Sequence, residues 1–374
     1  METMRFRFPA LSRNIYLNTA GGAPIPDVAH EAASGYYREA FEDGDIHWNT
    51  WLDRTDAARK SVGELVGSPA EHVGFVGNAS MGLNLAASMA ESQAFAHAPS
   101  EFPSCTLPWL RRGSKSFPWG VASDGSFDAD DVHKALNLGA DTVVVSWVQF
   151  GTGFRADLAS ISAVCKTAGV RLVVDATQAV AAFPIDAAAL GIDVLVFSGY
   201  KWLTSGYGVA GLVTPRGLKG DGSPFAGWRS QENPFALVAD RLEPNLSGLA
   251  VEAGHPPFPG VFAMGASARM WNEAGCAVSA ATILDLMGHL HARMDEIGVP
   301  VLSARAAGQM SGIALVGVDD AAATAQRLSR QGIITSARGA GLRVSVHAYN
   351  EASEIDQFAE ALNQIVSGRK GAGT

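Results

Sequence analysis

Three apolar runs in the middle of the chain constrain the fold more than any other feature. They are rich in β-branched residues, nearly continuous and five to seven residues long, and they cover residues 142–148, 171–175 and 193–197. Strands of this kind are usually covered on both faces, whereas a half-exposed strand alternates apolar and polar residues. Helix-like stretches at 158–168 and 187–191 separate the runs. The repetition predicts an α/β fold with a mostly parallel central sheet and helices on both faces.

Weaker patterns extend this prediction toward both ends of the chain. Around the three runs we expect helices over 52–66 and 80–90 and strands over 73–76 and 209–214. A single long helix is predicted from Phe262 to about Gly298, after a Pro/Gly-rich interval at 254–260. The last third reads as strand, helix, strand and helix over 312–316, 324–331, 341–346 and 353–365. We therefore predict a large domain of residues 16–255 and a small α+β domain of residues 1–15 and 256–374.

Composition excludes several classes of protein. The chain has 374 residues, of which 47% are hydrophobic and 17% charged, enough for two domains with a substantial core. A formal charge of −9 without a Lys/Arg-rich stripe argues against nucleic-acid binding. No apolar run approaches the ~20 residues that span a bilayer, and residues 1–9 lack a secretory signal, so we expect a cytoplasmic protein. Cys105, Cys165 and Cys276 are widely spaced, which predicts neither disulfides nor a metal site.

Polar residues follow two of the predicted strands directly. Asp175 ends one strand, with Gln178 three residues later, and the segment 198–201 (Ser-Gly-Tyr-Lys) ends the next. The turn at 77–82 (Gly-Asn-Ala-Ser-Met-Gly) opens a helix. Open α/β sheets bind ligands at the carboxyl ends of their strands. The three segments are therefore expected to meet at one site.

The chemistry of these residues suits an aldehyde cofactor with a phosphate group. Lys201, shielded by aromatic neighbours, could present a neutral amine for imine formation. Asp175 could keep a pyridine nitrogen protonated, and the helix start at 78–80 could bind a phosphate. Each feature has an ordinary alternative: a surface lysine, a turn-forming aspartate and a capped helix start. Only the ordered set, with Lys201 twenty-six residues after Asp175, favours the site.

This set resembles the class V aminotransferase family of fold-type I enzymes that depend on pyridoxal 5′-phosphate (PLP). The family includes cysteine desulfurases, selenocysteine lyase, kynureninase and isopenicillin N epimerase-like proteins. The resemblance runs from Tyr16 to Asn350, and its most specific parts are Asp-x-x-Gln at 175–178 and Ser-Gly-x-Lys-Trp at 198–202. It implies the fold-type I architecture, PLP as cofactor, an amino-acid-like substrate and a homodimer.

The resemblance also assigns roles to individual residues. Lys201 would carry PLP as a Schiff base, and Asp175 would pair with the pyridine nitrogen. Arg343 would bind the substrate carboxylate, for which its rigid bidentate fork is suited. Phe102 replaces a histidine that often stacks on the ring in relatives. The further cofactor contacts that the resemblance implies are Asn78, Ala79 through its backbone, Ser80, Gln149, Gln178 to the phenolic oxygen, Ser198 and Tyr200.

Two histidines are assigned by position alone. His255 follows Gly254, where matching dimers carry a Gly-Thr pair that reaches the partner's phosphate. His47, in Gly-Asp-Ile-His-Trp, would line the substrate entrance. Both could equally be structural.

The sequence narrows the reaction without choosing it. Cysteine desulfurases of this family carry a nucleophilic cysteine shortly before the carboxylate-binding arginine, and residues 333–343 contain none. We favour an aminotransferase, with a C–S lyase or an epimerase as alternatives. A nucleotide-binding oxidoreductase would need Gly-x-Gly-x-x-Gly after the first strand, and the glycines at 77–82 have the wrong spacing. A non-catalytic binding or regulatory protein of the PLP fold would not be expected to keep both Lys201 and Asp175.

Overall fold

The computed structural model of the protein describes residues 2–218, 223–339 and 341–370. Parts of both predicted domains, namely residues 1, 219–222, 340 and 371–374, lie outside the described residues. In chain order the α-helices are α1 (Glu2–Arg5), α2 (Asp27–Asp43), α3 (Trp48–Val66), α4 (Ala79–Ala90), α5 (Pro103–Arg111), α6 (Ala129–Leu136), α7 (Leu158–Ala168), α8 (Ala187–Leu190), α9 (Phe258–Ala274), α10 (Cys276–Glu296), α11 (Ala321–Ser329) and α12 (Ala352–Lys370). The strands are β1 (Ile15–Tyr16), β2 (Val73–Val76), β3 (Ala94–His97), β4 (Lys115–Pro118), β5 (Thr142–Ser146), β6 (Arg171–Asp175), β7 (Val194–Ser198), β8 (Ala210–Val213), β9 (Ile313–Gly317), β10 (Ile333–Ile334), β11 (Ser336–Arg338) and β12 (Gly341–Ser345).

A seven-stranded sheet forms the centre of the molecule. Its order is β2-β8-β7-β6-β5-β3-β4, and every neighbouring pair is parallel except those that involve β8, which runs antiparallel to β2 and β7. The mostly parallel sheet predicted from the sequence is confirmed. The three apolar runs form β5, β6 and β7, which lie side by side.

These strands are apolar throughout because helices cover both faces of the sheet. Val143 and Val145 on β5 belong to one hydrophobic cluster, and Val144 between them belongs to another. Successive side chains of a strand point to opposite faces, so the two clusters lie on opposite sides of the sheet. Helix α4 contributes Leu83 to the second cluster, and α7 contributes Ile161 to the first.

A second, smaller layer is built from the C-terminal part of the chain. Strands β11, β12 and β9 form an antiparallel sheet, and β1 pairs with β10 in parallel. Its core joins Leu17, near the start of the chain, to Leu290, Val344 and Phe358. The predicted strand and helix order of this region is confirmed. The boundary between residues 255 and 256 stays a prediction.

The long helix predicted from Phe262 to about Gly298 is wrong. Two helices, α9 and α10, replace it and are separated by Gly275, whose φ of +82° an L-residue rarely adopts. Helix α9 packs against α2 and α3, whereas α10 packs against α12. The glycine lets the chain turn from one core to the other.

In the described residues, no helix is long and apolar enough to cross a membrane.

Candidate active site

The carboxyl ends of β6 and β7 and the start of α4 surround one pocket. Its position follows from the parallel strands, which all present their carboxyl ends at the same edge of the sheet. The pocket is lined by Asn78, Ala79, Ser80, Leu83, Phe102, Ser104, Ser146, Val148, Phe150, Asp175, Thr177, Gln178, Ser198, Tyr200 and Lys201. The structure therefore brings together the three segments that the sequence placed at one site.

Lys201 is buried in this pocket. Its side chain is 9% exposed, with Nζ 5.9 Å from the ring centre of Phe102 and 5.5 Å from that of Tyr200. Burial lowers the pKa of Lys201 to about 8, against the attraction of Asp175 and with the repulsion of Arg343 and Arg338. An amine in this condition is partly neutral near physiological pH, as a nucleophilic or basic lysine requires.

Asp175 is held by two hydrogen bonds. Its Oδ1 accepts from the backbone N–H of Thr177 at 2.9 Å, and the Cys105 thiol donates to Oδ2 at 3.4 Å. Burial and the neighbouring carboxylates raise the pKa of Cys105 well above its ordinary value, so the thiol keeps its proton and acts as a donor. The carboxylate is thus fixed in orientation at the end of β6.

Glu101 is a second buried acid near Asp175. Its carboxylate accepts from the Ser146 N–H at 2.9 Å, from the Ser146 hydroxyl and from Gln149 Nε2 at 2.7 Å. The Ser146 hydroxyl in turn lies 3.6 Å from Cys105 Sγ, so a polar chain links the two acids. Burial, only partly opposed by these hydrogen bonds, raises the pKa of Glu101 to about 7.

Gln149 was predicted to contact the cofactor, but its side chain is hydrogen-bonded to other residues of the protein. Its amide is bound to Glu101 and to the Ser100 hydroxyl, and Gln149 is absent from the pocket lining. The physical reason is that Gln149 satisfies a buried carboxylate, which would otherwise be costly. In this structure Gln149 supports the pocket wall from behind.

The start of α4, where an anion-binding site is predicted, lines the pocket. Asn78 caps the helix by accepting from the Met81 N–H at 2.9 Å, and the Ser80 hydroxyl pairs with that of Ser104 at 2.7 Å. Backbone N–H groups at a helix start favour an anion. Ser198 and Tyr200 line the same pocket across from the helix start.

Gln178 and Phe102 are both at the pocket. Gln178 donates to the Ala20 carbonyl at 3.1 Å and accepts from Trp202 Nε1 at 2.8 Å, which leaves one amide hydrogen for a ligand. Phe102 is 43% exposed and packs edge-on against Phe150 at 5.3 Å. The ring is positioned for apolar contact at the mouth of the pocket.

Arg343 lies on β12 and contacts the wall of the pocket from the smaller layer. It is 2% exposed, and its Nη1 donates to the carbonyl of Phe150, a lining residue, at 3.1 Å. Its Nε and Nη2 have no hydrogen-bond partner among the described residues. Burial, and next to it the charge of Arg338, lowers the pKa of Arg343 to about 10. A buried guanidinium with unmet donors is suited to a carboxylate ligand.

The two predicted histidines do not reach the pocket in this chain. His47 pairs with Asp43 at 3.0 Å beside α3. His255 packs edge-on against Trp48 and Trp228, with ring centres 6.0 and 5.1 Å away. Their roles in ligand binding stay predictions.

The sequence reading missed several residues that shape the site. Ser146 and Thr177 were overlooked because a hydroxyl inside an apolar strand or after an aspartate is common. Glu101 could have been suspected, since it is an acid directly before Phe102 in a segment of family resemblance. Among the described residues, no cluster of potential metal ligands occurs.

Comparisons with known proteins identify the family and the fold. The family model of class-V aminotransferases matches residues 15–358. An uncharacterized aminotransferase, YcbU of Bacillus subtilis strain 168, is 24% identical over 96% of this chain and 97% of its own. The apo cysteine desulfurase of Thermococcus onnurineus NA1 has a similar structure, with a TM-score of 0.89, 23% identity and 98% of both chains covered. A variant of the lyase C-DES with glycine linked covalently to its PLP cofactor has a TM-score of 0.84 and 22% identity, over 96% of this chain and 98% of that one.

Proposed function

The chain belongs to the class-V aminotransferase family, and from this we propose that it is a PLP-dependent enzyme that transfers the amino group of an amino-acid-like substrate. One observation carries the proposal. The buried amine of Lys201, with a lowered pKa, shares a pocket with the oriented carboxylate of Asp175 and the helix start at Asn78.

The residues of the pocket fit the cofactor. Lys201 would hold it covalently through Nζ, and Asp175 would pair with its pyridine nitrogen. Ala79, Ser80 and Ser198 would bind the phosphate. When bound, PLP supplies an aldehyde for amines and a protonated ring that withdraws electrons. The fit rests on the amine, the carboxylate and the helix start, which match the aldehyde, the pyridine nitrogen and the phosphate of PLP.

The chain's own residues would bind the substrate and move its proton. Arg343 would take the substrate carboxylate on its unmet Nε and Nη2 donors. Lys201 Nζ, partly neutral near pH 8, would accept the α-proton and return it at a different atom. Phe102 and Phe150 would limit water access above the amine.

Transamination is favoured because the pocket offers one proton carrier. Among the described residues that line the pocket, the titratable groups are Asp175, Tyr200 and Lys201. Asp175 is reserved for the ring, and burial raises the pKa of Tyr200, so its phenol keeps its proton and is a poor base. A two-base epimerisation would need a second base. Cys105 donates to Asp175 and is fully buried, which argues against a persulfide-forming role.

We also propose a homodimer, in which the exposed His255 would approach the cofactor phosphate of the other subunit. The aromatic packing of His255 against Trp48 and Trp228 would hold it in place. The cytoplasmic location expected from the sequence stays a prediction.

Borohydride reduction of the purified holoenzyme tests the covalent link. We expect peptide mass spectrometry to find the reduced cofactor on Lys201, and Lys201→Ala to lose the visible absorption band. Lys60→Ala, an exposed lysine of α3, is the control and should keep both. A protein that takes up no PLP, or carries it on another lysine, would contradict the assignment.

Product analysis tests the reaction. With an amino donor and a 2-oxo acid, we expect the amino group to appear on the acceptor, as followed with ¹⁵N-labelled donor. Sulfide released from cysteine or cystine, without labelled acceptor, would instead identify a C–S lyase.

A further inference from the structure

The hairpin of β11 and β12 presents three polar side chains on one face. Ser336 is paired with Arg343, and Arg338 is paired with Gly341. Directly paired residues of antiparallel strands share a face, as do alternate residues of one strand. Ser336, Arg338 and Arg343 therefore point the same way. Gly341 has no side chain, and the Val316 carbonyl and the Leu315 side chain pack close to it.

This face is directed toward Lys201. Arg343, one of its members, contacts Phe150 in the wall of the pocket. Burial is the main cause that lowers the pKa of Arg343 and of Lys201, and the positive charge of Arg338 lowers both further. Arg338 itself is exposed, whereas Arg343 is buried against the wall of the pocket.

The face carries more cationic and hydrogen-bonding groups than one bound carboxylate needs. Neither arginine has an ion-pair partner within 4.0 Å among the residues described. The guanidinium of Arg338 donates to the adjacent carbonyl of Ala337 at 2.8 Å, and the Ser336 hydroxyl is buried without a partner in the described part of the chain. Arg343 alone can satisfy a carboxylate by a bidentate pair. A second cation and a hydroxyl then remain for another anionic group.

We propose that Arg338, with Ser336, determines specificity for amino-acid substrates that carry an acidic side chain. The inference rests on the proposed function: Arg343 takes the α-carboxylate, and Arg338 takes the side-chain carboxylate at the mouth of the pocket. Substrates with a neutral side chain of the same shape would leave Arg338 unused. The cation would also draw anionic substrates toward the site, an effect that salt weakens.

Spectral titration of the holoenzyme tests this proposal without relying on turnover. The probes are L-aspartate and L-glutamate, each compared with its amide, L-asparagine or L-glutamine. We expect the acids to perturb the cofactor absorption at concentrations about tenfold lower than the amides. Arg338→Gln should remove this preference and its salt dependence and leave amide binding unchanged. Arg338→Lys should restore part of both, since it keeps the charge but not the fork.

The control and the opposing outcomes separate this inference from the proposed function. Arg327→Gln, an exposed arginine of α11, should bind all four probes as the wild type does. A holoenzyme that binds acids and amides equally, or an Arg338→Gln variant that keeps the preference, overturns the role of Arg338 and leaves the proposed function standing. A protein that forms no holoenzyme, or whose absorption no amino acid perturbs, overturns both.

Discussion

Replacing Glu252 by glutamine should destabilise the protein by about 3–5 kcal/mol, the usual loss when one partner of a buried ion pair is removed. Glu252 is buried and accepts two hydrogen bonds from Arg59, at 2.6 and 2.7 Å, and one from the Phe75 N–H at 2.8 Å. Arg229 lies 3.7 Å away. Glutamine keeps an acceptor for Phe75 but turns an amide donor toward Arg59. Arg229 then loses its countercharge, and Arg59 keeps only the exposed Asp56, at 3.4 Å.

Urea unfolding measures this loss. Tryptophan fluorescence and far-UV circular dichroism should give coincident transitions, so that a free energy of unfolding can be compared. The double variant Arg59→Met/Glu252→Gln should recover most of the loss, because it removes the central unpaired charge and keeps the acceptor for Phe75. Glu64→Gln, an exposed glutamate of α3, should change stability by no more than about 0.5 kcal/mol. A loss below about 1 kcal/mol for Glu252→Gln would refute the reasoning, since it would mean that water already solvates the pair.

Three further predictions concern titration. Because burial raises the pKa of Glu101 from 4.5 to about 7, its contribution to stability is present below pH 4.5 and is lost as pH rises through 7. Relative to Glu101→Gln, the wild type should therefore lose up to about 3 kcal/mol of unfolding free energy across this range. A difference between the two proteins that stays constant with pH in urea unfolding would contradict this prediction. The sign is opposite for His347, whose pKa burial lowers from 6.5 to about 4, so its contribution to stability is present above pH 6.5 and is lost as pH falls toward 4. Relative to His347→Gln, the wild type should lose about 3 kcal/mol of unfolding free energy between pH 7 and pH 4. An equal difference between the two proteins at both pH values would disprove this prediction. In cofactor-free protein, PLP capture at Lys201, trapped with borohydride and quantified by mass spectrometry, should rise through pH 8 and then level off; a rise that continues to pH 10 would show that the amine is not desolvated.

The sequence predicted the sheet well because its central strands are buried on both sides, and such strands leave a continuous apolar signal. The acid and the lysine were found for a related reason, since Asp175 ends one of these strands and Lys201 follows the end of the next by three residues. The edge strand β4 and the short strands β10 and β11 were missed: they are two to four residues long and mostly half-exposed, and their pairing comes from distant segments.

Other features depend on tertiary contacts that no local pattern records. Gly275 lies between two apolar helical stretches, so only the need to reach two different cores shows that it separates α9 from α10. The network of Glu101, Ser146 and Cys105 joins residues from separate elements, none of which is unusual alone. The roles of His47 and His255 stay predictions, because neither residue lines the pocket of this chain.

The antiparallel strand β8 has a consequence for how ligands can enter. The segment 199–209, which carries Lys201, leaves β7 and returns to β8 at the same edge, with Gly199 bonded to both Ser205 and Val209. Thr204 accepts from Trp271 beneath it, and Tyr200 is bonded to Ala23. Hydrogen bonds therefore hold the segment that carries Lys201 at both ends, so this segment does not act as a lid. The hairpin that carries Arg343 belongs to a separate sheet, so these hydrogen bonds do not hold it.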